Sequence, residues 1–263
     1  MLYMTRLVVW AFCVFPLLAQ LPSGVSPDLR FEVASLKPAH GDPYSYYVRP
    51  SPGFERYEAV NCPISLMLQV AFRIRAEQVI GIPGWLDSQR FDMQAKAGKP
   101  STADELHVML VNMLVDRMHL KYHHGKKDMQ MYALRVSKEG AKLSPRESAA
   151  GDTWVDLHGH NLQTKMQGIN ARMDFLAFRL GEELDRPVID MTGLKGTYDF
   201  EVNYTRELPR TFPEGGKING EEPDTSGPTL FAALKRQIGL ELKAEKGPVD
   251  VIVIDHAEQL NEN

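Results

Sequence analysis

The residue types able to do chemistry fall into separate groupings. His107, His119, His123 and His124 form one, and His158-Gly-His160 another. Imidazoles so spaced could serve zinc or copper. Adjacent histidines on a strand point to opposite faces, however, and His119 and His123 fall near an expected helix end, where cations are favourable without a metal. Asp87, Arg90 and Asp92 cluster about one expected hairpin, and Asp190, Lys195 and Asp199 about a second. Asp116–Arg117 and Asp185–Arg186 recur as acid–base pairs near helix ends. Paired carboxylates could act as general acid and base. Alternatively they cap turns and pair with arginine, and spacing gives no distance between them. Arg117, His119, Lys121, His123, His124, Lys126 and Lys127 make a basic run, either a solvated helix end or a patch for anionic groups of cell wall or lipopolysaccharide. Trp85 at a turn tip is a core plug or an exposed anchor. GxSxG, HExxH, Walker and GxGxxG motifs are absent. The sequence therefore assigns no catalytic residue, no metal and no cofactor. It nominates Trp85, Asp87, Arg90, Asp116, Arg117, Asp185 and Arg186 as contacts to a ligand or partner.

The elements that must position these groups belong to an ordinary globular chain. Of 263 residues, 43% are hydrophobic and 24% charged, which argues against a disordered chain, a collagen-like repeat and a coiled coil. A net charge of −4 and weak interleaving of aromatics with the basic run give no footprint for nucleic acid. At the amino terminus Arg6 precedes the apolar run Leu7–Leu18, the length of a signal-peptide core and too short to span a bilayer. Leu17 and Ala19 place cleavage after Ala19. Residues 1–19 are thus expected to be an export signal and the remainder a periplasmic or extracellular protein with no membrane span. Cleavage would leave Cys62 as the lone cysteine, which excludes an internal disulfide and a cysteine-metal cluster. Beside Pro63 at a helix start, it reads as a small buried hydrophobe.

The chain repeats itself. Val60–Asn61, Val79–Ile80 and Pro83–Gly84–Trp85 recur 109 residues later as Ile169–Asn170, Val188–Ile189 and Thr192–Gly193–Leu194. Both copies then reach an aromatic–Asp–apolar triplet, Phe91–Asp92–Met93 and Tyr198–Asp199–Phe200. A strand opens each copy, at Gly53–Val60 and Leu162–Ile169. A helix with apolar residues at 3–4 spacing follows. Hairpins are expected between Gln78–Ile82 and Arg90–Ala97, and between Pro187–Met191 and Gly196–Tyr204, with Pro-Gly and Thr-Gly turns. Thr102 and Glu105 have capping-box spacing before the second helix of copy one. Pro228 starts the corresponding helix of copy two and Gly239 suits its C-terminal cap. Met129–Ser137 and Val249–Asp255 read as closing strands.

The fold expected is α+β: two tandem β-α-β-β-α-β units, each a small mixed sheet with two helices packed on one face. Residues 20–52 form an N-terminal strand and loop, 53–137 the first unit, 138–161 a linker, 162–257 the second unit and 258–263 a tail. The second unit is interrupted by a long flexible loop at 206–227.

The runs FEVASLKPA, GIPGWLDSQRFDMQAKA, MLVDRMHLKYHH with MYALRVSKEGAKL, LDRPVIDMTGLKGTYDFEVNY and IGLELKAEKGPVDVIVIDHAEQLNEN resemble the soil-associated family of bacterial secreted proteins, a domain of unknown function. The resemblance spans nearly the whole chain after the signal. It implies an exported bacterial protein, and it does not imply a catalytic site. Met118 and Met191 depart from its usual pattern. Each unit is also similar in fold pattern to the short amino-terminal module of secretins and TonB-dependent receptors, a fold-level analogy. The reading is a non-catalytic binding or interaction module whose partner is an envelope protein or polymer. Its alternatives are a secreted hydrolase using hairpin carboxylates and a histidine-based metal-binding protein.

Overall fold

The structure is a computed structural model that describes residues 25–41, 45–51, 55–146 and 153–260. The expected export signal lies outside the described residues.

Alternation of side chains sets the outer strands. In β3 (Arg56–Cys62) Tyr57 and Ala59 point inward while Arg56 and Val60 face solvent, and β5 (Phe91–Lys96) alternates buried and exposed along its whole length. With β1 (Val33–Pro38) and β2 (Tyr47–Pro50) they form an antiparallel sheet in the order β1-β5-β3-β2. The helices α1 (Ile64–Phe72) and α3 (Ala103–Met118) bury Ile64, Met67, Leu68, Leu106, Leu110 and Leu114 in the same core as that sheet. The capping box at Thr102 forms: its hydroxyl accepts from Glu105 N–H at 3.2 Å, and the Glu105 carboxylate accepts from Thr102 N–H at 2.7 Å.

The second outer sheet has the order β7-β11-β9-β8, built from β7 (Ser144–Pro145), β8 (Trp154–His160), β9 (Gln163–Ala171) and β11 (Tyr198–Thr205). Helix α4 (Met173–Glu183) and the short α5 (Leu230–Ala233) share its core. α5 runs into a π-helical turn, Leu234–Ile238, closed by Gly239 at φ 71°.

The central sheet departs most from expectation. The strands β6 (Lys121–Val136) and β12 (Leu240–His256) pair antiparallel along nearly their full length. β10 (Val188–Asp190) adds parallel to β6, and β4 (Val79–Ile80) parallel to β12, giving the order β10-β6-β12-β4. The expected hairpins therefore do not pair. Residues after β4 coil into the short helix α2 (Gly84–Ser88), which carries the chain out to β5 in another sheet. Hence the mixed sheet is a central one to which both halves contribute, and the outer sheets are antiparallel. Residues 138–161, expected as a linker, carry β7 and β8, and 20–52 carry β1 and β2. Ile252 and Ile254 of β12 enter the first core, while Leu134 of β6 enters the second.

Candidate functional site

Helix α1 ends at Arg73, whose φ of 52° turns the chain through Ile74 and Arg75 into a 3-10 turn, Ala76–Gln78, and on to β4. That turn faces helix α4. Arg75 donates to the carbonyls of Leu184, at 2.9 Å, and Gly181, so a cation from one half satisfies the C-terminal carbonyls of a helix in the other. Gln78 ties the turn to the central sheet: its amide donates to Asp250 O at 2.8 Å and its carbonyl accepts from Arg75 N–H at 3.0 Å. Arg73 pairs with Asp104 and lies over the Phe175 ring of α4 at 5.0 Å. Arg172, just before α4, takes the other Asp104 oxygen at 2.8 Å. Burial alone would raise Asp104, but the charge of Arg73 and the hydrogen bond and charge of Arg172 outweigh it and hold the carboxyl below its ordinary range.

These contacts hold open a half-enclosed cleft of 230 Å³ between α1, α4 and the central sheet. Its apolar walls come from Phe72, Phe178, Val188 and Ile252, and polar residues line it as well, Arg73, Arg75, Gln78, His124, Asp174 and Asp190 among them. Asp174 is engaged by Arg172, and Asp190 by the N–H and hydroxyl of Thr192. His124 packs edge-on against Phe72 and Tyr122, with ring centroids 5.8 and 6.0 Å away. Burial lowers its pKa, so its ring is neutral at pH 7, and its buried Nε2 has no hydrogen-bond partner. A volume below the ~300–1,000 Å³ of ordinary small-molecule pockets admits one ring or one side chain rather than a nucleotide or an oligosaccharide.

Arg73, which lines the cleft, also acts through its charge on Tyr57 and His107, whose rings meet edge-on at 5.7 Å. Arg73 Nε, Tyr57 Oη and His107 Nδ1 are buried without hydrogen-bond partners. Burial, reinforced by the Arg73 charge, pushes His107 down to about 3, so it is neutral.

A larger, more polar depression of 780 Å³ lies by α4 and β11. Its central carboxylate, Glu183, accepts from Tyr204 Oη at 2.8 Å and from Arg206 twice at 2.8 Å. Those bonds fix the orientation of the Glu183 carboxylate.

The structure places the seven nominated residues in three places, and none lines the ring-sized cleft. Trp85 packs half-buried on the first core. Asp87 accepts from Ser65 Oγ at 2.7 Å, and Arg90 donates to Asn61 O at 3.3 Å. Both brace the corner between β3 and α1. Asp116 pairs with Arg30 at 2.8 Å and Arg117 donates to Ala34 O at 3.0 Å, so together they fasten the β1 segment to α3. Arg186 chelates its neighbour Asp185 at 2.7 and 3.0 Å and stacks over Tyr132 at 4.8 Å. The hairpin carboxylates Asp92 and Asp199 accept the N–H groups of Asn61 and Asn170 at 2.8 and 2.7 Å. Each carboxylate is thus held by the corner of the neighbouring strand. Ser65 is 3% exposed, so its hydroxyl is sealed from any substrate. Among the described residues no three His, Cys, Asp or Glu side chains converge as a metal site.

Sequence reasoning missed Arg73, Arg75, Asp104 and Arg172. Their signal is the Arg-Ile-Arg tripeptide directly after α1, but its partners stand as many as 109 positions along the chain. No curated protein and no solved structure matches this chain. The family described as "Protein of unknown function (DUF3738)" matches residues 65–257, which include every wall of the cleft. The match takes in well over half of the sequence, and the chain belongs to that family.

Proposed function

We propose that this protein is an exported, non-catalytic binding module of the bacterial envelope or exterior, built by internal duplication, which seats one apolar ring or side chain of its partner in the cleft between its halves. The observation carrying this reading is the cleft itself: apolar walls from both halves, which the Asp104 and Arg75 contacts tie together, with the His124 ring in its lining. Such a site holds a group by burying it against its apolar walls. Duplication is supported by the matching corners. Asn61 and Asn170 both have φ 51°, both sit at a register shift, and both give their N–H to an aspartate of the neighbouring strand. Export is supported by the residue pattern of 1–19. The partner is an envelope protein or polymer that presents an aromatic or branched apolar group.

The test uses indole as a probe in heteronuclear NMR on the protein lacking residues 1–19. Saturable shifts confined to His124, Val188, Ile189 and Ile252 are expected, with a dissociation constant of roughly millimolar order, as suits so few atoms. Ile189→Trp, which places a ring at the cleft, abolishes them while the melting temperature holds. Shifts scattered over the surface, or unchanged in the Ile189→Trp variant, overturn the reading.

A further inference from the structure

Sheets that end in an unpaired strand invite another strand, and most proteins blunt such edges by shortness, lysine or proline. Among the described residues the end strands follow that rule with one exception. β4, β7 and β10 have two or three residues. β2 is four residues long and carries Arg49 and Pro50. β1 finishes in Lys37–Pro38. β8 reads WVDLHGH: seven residues, no lysine, arginine or proline, exposed at Asp156, His158, Gly159 and His160. It closes on β9 through a two-residue hairpin whose last pair is His160↔Gln163. In that register Trp154, Asp156, His158 and His160 bond to β9, and the backbone groups of Val155, Leu157 and Gly159 point away from the sheet. The carbonyl of Val155 accordingly receives Arg179 Nε at 3.0 Å, which leaves its second lone pair.

We propose that this edge is the interface between two copies of the chain, joined by antiparallel β8–β8 pairing about a two-fold axis at Leu157. The sequence is self-complementary in that register. Asp156 stands opposite His158 of the other copy, twice by symmetry, and a carboxylate facing an imidazole is a favourable cross-strand pair. Trp154, 46% exposed, stands opposite His160, ring against ring. Val155 meets Gly159, so nothing bulky crowds the core-facing side. A one-residue slip would face Asp156 with Leu157 and turn inward-facing side chains outward, so the register is specified. The product is a continuous eight-strand sheet with β7 at both ends. This dimer is independent of whether the cleft takes a ligand.

Sedimentation of the protein lacking residues 1–19, across a concentration series, reads the association. A monomer–dimer equilibrium is expected, weak as befits one strand pair. Asp156→Lys puts lysine opposite His158 at both symmetric positions and should weaken the dimer at least about tenfold. His158→Asp alone, which opposes two carboxylates, should weaken it similarly. The double variant Asp156→Lys/His158→Asp restores opposite charges and should recover the wild-type constant. Melting temperatures of all variants establish that they fold, since both positions are exposed. A chain that stays monomeric at all concentrations overturns the proposal. So does a dimer indifferent to Asp156→Lys, or a double variant as weak as the singles.

Discussion

Asp104 is shared by two arginines that reach it from different halves, and its carboxylate is 14% exposed. Asp104→Asn would leave Arg73 without its carboxylate and Arg172 with Asp174 alone. The expected loss is about 2–3 kcal/mol, below the cost of breaking a fully buried pair because Arg172 is a third exposed. The folded carboxyl titrates lower than the unfolded one. The unfolded chain therefore binds the proton first as pH falls, and this stabilisation is lost as pH drops through the folded pKa. Denaturant unfolding of wild type and Asp104→Asn should converge at pH well below ~4. His107 acts in the same direction at higher pH. Its folded pKa is about 3. Below the ~6.5 of a free histidine the unfolded chain takes up a proton that the folded one refuses, so stability falls on acidification by up to about 1.4 kcal/mol per pH unit. His107→Leu removes that proton and a buried nitrogen without a partner, so it should flatten the slope between about pH 6 and 4. An unchanged slope in that variant would show that another group carries the acid sensitivity.

The elements divide into those whose instructions are local and those whose partners are remote. The start of α3 is written in Thr102 and Glu105, and the corner before α1 in Asn61 and Asp92. The matching corner at Asn170 gives a direct test of local conformation. Its φ of 51° suits asparagine or glycine and strains a β-branched residue. Asn170→Val should lower stability by about 1–2 kcal/mol more than Asn170→Gly, read from chemical denaturation. Equal losses would place the residue's value in its side chain alone. The central strands were harder to read. Only Met129–Ser137 of β6 looks like a strand, because Lys121–Asp128 is charged and largely exposed and reads as a basic run. Alternation shows which face a strand turns to solvent, not which neighbour it bonds. That is why the sequence pattern pairs β4 with β5 although they lie in different sheets. The cleft was illegible for the same reason: Arg75 is a surface arginine by sequence and a cap for α4 only once the chain has folded.

At the scale of the molecule, β6 and β12 each serve the core of the opposite half. Ile252 and Ile254 lie 3% and 5% exposed in the first core, and Leu134 is fully buried in the second. Neither core is complete without a strand from the other half, so local unfolding of one half strips apolar cover from its neighbour. The two halves should therefore melt as one cooperative unit despite having separate cores. The molecule carries its own reporters: Trp85 packs on the first core and Trp154 stands on the second outer sheet. Single-tryptophan variants retaining one or the other should give coincident denaturation midpoints. Ile252→Ala removes methyl and methylene groups from the first core only, at a cost of about 2–5 kcal/mol. If the strand exchange couples the halves, the Trp154 midpoint shifts as far as the Trp85 midpoint. A Trp154 transition that stays in place while that of Trp85 moves would mean that the central sheet opens along β6 and β12 before the second half unfolds, and the halves would then be separable folding units.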